Sequence, residues 1–234
     1  MGLFSKQKNC KMSSEYCVIK IFKTIKQSDE INIKPCFEAM LGIFTSRGYS
    51  LTEIDINYGT KKWKKISSFY KFIETHKVVE FSASFNLKNG DGLDPTGITY
   101  SNHLSNLTRN TDEKDFINFT VAIPYDWYSL NLVKAVVKEI DIALKVTYAY
   151  VCFLPRNYSA YTERLIKTSF FSVSIDGNKE DIELRNNLKN ADCGYIPKKY
   201  PVNFYNSKQL ASVEGNMDLL EKISENLTLV TYTV

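Results

Sequence analysis

The sequence predicts an α+β domain: one mixed or antiparallel sheet, or two small ones, with helices packed on one face. Three observations carry that reading. Apolar residues recur with a period of two in some segments and at i, i+3, i+4 and i+7 in others. The order strand, helix, strand is met twice, on either side of a long turn-rich stretch, so that 15–87 and 115–234 read as two similarly built halves of a single domain, 15–234. Finally, 44% hydrophobic and 24% charged residues in a chain of 234 match a globular protein with enough apolar side chain for a sizeable core.

Residues 1–14 are polar, carry Lys6, Lys8 and Lys11 and lack a hydrophobic period, which predicts a loose tail. An apolar, β-rich run over 16–22 predicts the first strand. Phe37, Met40, Leu41 and Phe44 then form a helical stripe, opened by Pro35 and closed by Gly48. Ile54 and Ile56 alternate with polar neighbours as in a half-buried strand. Ile66, Phe69, Tyr70 and Ile73 predict a helix over 65–76, and strict alternation over 79–86 predicts a strand. Turn chemistry fills 87–114: Asn89-Gly90-Asp91-Gly92, Asp94-Pro95 and Asn110-Thr111-Asp112. After it come a strand at 116–123 and a helix over 129–145, with Ser129 as its cap and a stripe of Val133, Val136, Val137, Ile140 and Leu144. The run 147–154 is apolar at nearly every position, as a strand buried on both faces should be. A short amphipathic helix is expected over 217–223.

Charge does not select a partner, because the net +4 is modest and both signs are interspersed along the chain, unlike the basic stripe of a dedicated nucleic-acid binder. The five cysteines, Cys10, Cys17, Cys36, Cys152 and Cys193, are odd in number and contain no C-x-x-C pair, which argues against a disulfide framework or a zinc site and for a reducing compartment. With no signal-peptide core and no apolar run of membrane-spanning length, the expected location is the cytoplasm, away from membranes. Gly2 fits a myristoylation signal, but Lys6 occupies the position where that signal needs Ser or Thr. The sequons at Asn106, Asn118, Asn157 and Asn226 read as products of an Asn-rich composition.

Catalysis has little to build on. The two histidines, His76 and His103, stand at no metal-ligand or triad spacing from Cys or carboxylate. His76 sits where a helix C-terminus favours it. Asp91 and Asp94 fail the EF-hand pattern, no phosphate-binding glycine motif occurs, and Cys152 falls in a buried run where a thiol is inert. No enzyme activity, cofactor or metal is therefore expected. Two stretches suit a partner. The 88–114 loop offers Asp91, Asp94, Tyr100, His103 and Arg109, acidic groups plus the Tyr and Arg that favour interfaces. Lys61, Lys62, Trp63, Lys64 and Lys65 offer charge and one aromatic, suited to an acidic partner or, as the alternative function, to a nucleic-acid-associated or scaffold module.

The run Tyr200-Pro201-Val202-Asn203-Phe204, followed by Gln209-Leu210 and an apolar C-terminal end, resembles the C-terminal signature of bacterial immunity proteins, the antidotes encoded beside polymorphic or type VI-delivered toxins, such as the immunity protein 52 family. The likeness covers about the last forty residues. It implies a cytosolic protein that binds one cognate secreted toxin, occludes its active site and neutralises it in interbacterial competition. The motif residues themselves read as structural: Pro201 holds Tyr200 extended, Asn203 ties down backbone, and Tyr200 and Phe204 are apolar anchors.

Overall fold

The computed structural model describes residues 16–26, 28–56, 61–87, 96–103, 114–155, 158–160, 163–168, 173–175 and 179–232. Strand β1 (Tyr16–Lys26) leads through α1 (Lys34–Thr45) to β2 (Tyr49–Ile56), followed by β3 (Lys61–Trp63), α2 (Ile66–Ile73), β4 (Glu80–Leu87) and β5 (Gly97–Asn102). Then β6 (Lys114–Pro124), α3 (Leu130–Leu144) and β7 (Tyr148–Leu154) repeat the order strand, helix, strand. The remainder adds β8 (Ile166–Thr168), β9 (Val173–Ile175), α4 (Lys179–Leu188), β10 (Val202–Tyr205), α5 (Ser207–Ala211), β11 (Leu219–Lys222) and β12 (Thr228–Thr231).

Ten of these strands form one sheet in the order β11-β12-β10-β7-β1-β6-β5-β4-β2-β3, and each neighbouring pair is antiparallel. Strand β1 is central. It pairs with β6 from Tyr16↔Pro124 to Lys26↔Lys114 and with β7 from Tyr16↔Leu154 to Phe22↔Tyr148. Because β6 and β7 both oppose β1, they run parallel to each other, and α3 is the crossover that joins them. Helix α1 makes the longer crossover, from β1 past β6, β5 and β4 to β2. The two crossover helices pack together.

The pleat sends alternate residues of β1 into different cores. Cys17, Ile19 and Ile21 join Phe37, Met40 and Phe44 of α1, Phe69 of α2 and Val133, Val136 and Ile140 of α3. Tyr16, Val18 and Phe22 face the other way, against Tyr148, Tyr150 and Tyr205, under a smaller layer that includes Leu188 of α4 and Ala191. Helices α1, α2 and α3 thus share one face, and Tyr158, Leu184, Leu188, Ala191, Ile196 and Leu210 cover the other beside β7 and β10. Burial on both sides explains why 16–22 and 147–154 carry almost unbroken apolar runs.

Local signals account for the helix ends. Pro35 stands in the first turn of α1, and Gly48 follows the helix with φ +81°. Ser129 Oγ accepts from Leu132 N at 3.1 Å, and Lys145 ends α3 in the left-handed region at φ +53°. Two expectations need correction. The 87–114 stretch holds a strand, β5, whose Ile98 and Tyr100 are buried between β4 and β6; flanking turn chemistry hides its short alternation. The segment 217–223 is an edge strand, β11, paired with β12, because so short a stripe cannot nucleate a helix against available backbone partners. The proposed tail, 1–14, lies outside the described residues.

Across the outer half of the sheet the second face carries a polar row. The register places Tyr150, Lys20, Thr120, Thr99, Ser82, Asp55 and Lys62 side by side on β7, β1, β6, β5, β4, β2 and β3. Lys20 and Thr120 are buried all the same.

Candidate functional site

The Tyr200–Phe204 stretch turns the chain into β10. Asn203, fully buried, donates from Nδ2 to Tyr200 O at 2.6 Å, and its Oδ1 accepts from Tyr200 N and Tyr148 OH, each at 3.3 Å. That clamp closes the turn around Pro201, whose carbonyl accepts from Tyr232 N. Phe204 lies on the opposite face of the sheet, fully buried. Tyr200 stacks on Tyr150 with ring centroids 3.7 Å apart and planes 8° from parallel.

The stacked tyrosines lead to a charged centre that no motif announced. Glu163 reaches the sheet from a loop in which its own φ is +60°. Its Oε1 lies 2.9 Å from Lys20 Nζ and accepts from Tyr150 OH at 2.6 Å; its Oε2 accepts from Tyr200 OH at 3.1 Å and lies 3.7 Å from Lys198 Nζ. Burial pushes the Glu163 carboxyl up, but Lys20, the Tyr150 hydrogen bond and Lys198 together outweigh it and hold the group below its ordinary value. Burial, reinforced by the Glu163 charge, raises both tyrosines. Cys152, on the same face of β7, is raised by burial and by Glu163, so it stays a thiol. The arrangement is a carboxylate faced by two ammonium groups and two phenolic donors. The one sequence signal for this centre is Lys20, a lysine inside an apolar strand.

Of the loop candidates, Asp91, Asp94 and Arg109 lie outside the described residues. Tyr100 is buried, stacked on Phe81, and its hydroxyl is raised by burial. His103 is buried too, with Nε2 3.1 Å from Asn118 Oδ1 and its ring 4.3 Å from Phe116. Neither is offered to a partner. His76 stacks on Phe72 just past the end of α2, with Nδ1 3.2 Å from the Phe72 carbonyl, a local structural contact.

The lysine cluster surrounds the β3 end of the sheet. Lys61, Lys62, Lys64 and Lys65 are exposed. Lys62 pairs with Glu53 at 2.7 Å, which raises its pKa, and Lys65 is the N-cap residue of α2. Trp63 turns inward: its ring lies 5.0 Å from Phe72 and 5.7 Å from Phe69, while Lys61 Nζ sits 5.3 Å from its centroid. Among the described residues β3 pairs with β2 alone. No group of three or more His, Cys, Asp or Glu placed to hold a metal occurs among the described residues, and no described helix is long and apolar enough to cross a membrane. The chain has no significant match among protein-family models, curated proteins or solved structures.

Proposed function

We propose that this chain is a cytoplasmic immunity protein that binds a cognate secreted toxin through the β3 end of its sheet and blocks the toxin's active site without turnover of its own. The observation that carries the choice of surface is the cluster of exposed Lys61, Lys62, Lys64 and Lys65 around β3, which among the described residues pairs with β2 alone. Such a cluster offers a concentrated positive charge, which fits an acidic face of the toxin. Charge of that kind speeds encounter and selects the partner more than it tightens the final complex. The Tyr200–Phe204 stretch supports the immunity reading by resemblance, and its buried clamp gives it the role of a fold anchor, away from the contact. A nucleic-acid role is less well supported, because the Trp63 ring packs against Phe69 and Phe72 and has Lys61 over it.

The test is protection of bacteria that express the product of the gene immediately upstream, which this reading expects to be the toxin. Lys61, Lys64 and Lys65 changed together to Glu should leave folding intact and slow association roughly ten- to a hundredfold, the range over which charge steering acts, with loss of protection. Unchanged protection would mean that these lysines only keep the sheet edge from aggregating.

A further inference from the structure

The centre around Glu163 has the form of a ligand site. Lys20 and Tyr150 meet one carboxylate oxygen, and Tyr200 and Lys198 meet the other. We propose that these four residues form a carboxylate-binding cradle that Glu163 occupies as an internal ligand, and that the cradle takes an external carboxylate when Glu163 leaves it.

The donors are positioned without help from Glu163. Lys20 and Tyr150 are register partners on β1 and β7. Tyr200 is fixed by its stack on Tyr150 and by the Asn203 clamp, and Lys198 Nζ lies 4.5 Å from the centroid of the Tyr200 ring. Glu163, by contrast, arrives from a loop, which Tyr16 OH ties to β1 by donating to Tyr158 O. Tyr158 bridges Leu165, Ser159 N donates to Arg164 O at 2.7 Å, and Glu163 N donates to Ser159 O at 2.7 Å. Its φ of +60° is one that a side-chain-bearing residue seldom adopts, so the loop holds a less favourable backbone to deliver this carboxylate.

The chemistry of the cradle selects its ligand. Two ammonium groups demand an anion, and phenols kept protonated by burial and by the anion itself turn their O–H donors to it. Donors on both oxygens favour a planar two-oxygen group over a halide. The side chains of Lys20 and Lys198 are 8% and 63% exposed, so the cradle opens to solvent on the Lys198 side. This inference is independent of the lysine edge at β3, which lies across the sheet from it.

Glu163→Gly in the full chain tests it, since glycine accepts the positive φ and empties the cradle. Sodium acetate should stabilise this variant against an equal concentration of sodium chloride. At about ten times its dissociation constant, acetate should shift the unfolding equilibrium about elevenfold. The native chain should show no acetate-specific shift, and adding Lys20→Met to the variant should abolish it. If Glu163→Gly is unfolded in chloride, recovery of its native fluorescence in acetate is the expected result. Glu163→Gln, which keeps the shape but leaves a neutral amide to displace, should respond in the same direction and less. Indifference of both variants to acetate would overturn the cradle. A short peptide with one Glu that binds Glu163→Gly while its Gln counterpart does not would assign the cradle to a protein side chain; acetate binding without peptide binding would assign it to a free carboxylate.

Discussion

Asn203 shows how much a single side chain can organise. It pairs with both backbone groups of Tyr200, just before Pro201, and with the hydroxyl of Tyr148 while fully buried. Asn203→Ala leaves those groups unpaired and should cost about 2–4 kcal/mol in denaturant unfolding. Phe204→Ala opens a cavity beside Val202 and Leu229 and should cost roughly 3–5 kcal/mol, with partner binding intact at temperatures where the variant is folded. Glu163 makes a statement about pH. Its folded carboxyl is held below the ordinary 4.5, so the unfolded chain binds that proton more readily. Its contribution is therefore complete above about 4.5 and fades as pH falls from there through the folded value. Glu163→Gln should flatten that part of the acid limb when the urea midpoint is followed against pH; an acid limb identical to the native one would contradict the linkage. The asparagine clamp is legible in the sequence, because an Asn two residues after Pro has few other tasks in a strand. The Glu163 centre is not, because its partners are brought together by register and by a loop, neither of which has a local signature.

At the scale of elements, helices and long strands were legible wherever apolar period and punctuation agreed. Helix α3 is the clearest case, with its Ser129 cap and its stripe against β1. Ser129→Ala should cost about 1 kcal/mol. Lys145→Gly should raise stability by about 1 kcal/mol, because Lys145 ends the helix at φ +53° where glycine is not strained; a fall in the unfolding midpoint would contradict the left-handed cap. Short elements were not legible. Strand β5 hides among turn residues, and β11 has apolar positions that fit a helix as well as a strand until β12 supplies the pairing. The same limit touches the lysine cluster: the sequence shows its charge but not that Trp63 is turned into the core beside Phe69 and Phe72.

For the whole molecule, the repeated strand–helix–strand order becomes two crossovers over one antiparallel sheet, and β1, near the start of the described chain, lies at its centre. Pairing that spans the chain in this way is slow to form. It also sequesters thiols. Burial raises Cys17 and Cys36 to about 12 and raises Cys152 as well, while Cys193 is exposed. Native protein should therefore lose one equivalent of fast reaction with a thiol reagent on Cys193→Ser, and Cys17, Cys36 and Cys152 should react only on unfolding. The proposed partner contact lies at the β3 end with its exposed lysines. The most direct test is titration of the purified chain with the purified product of the gene immediately upstream, at low and at high salt. The predicted result is an equimolar complex whose association slows with added salt and with Lys61, Lys64 and Lys65 changed to Glu; no complex, or one indifferent to both, would contradict the account.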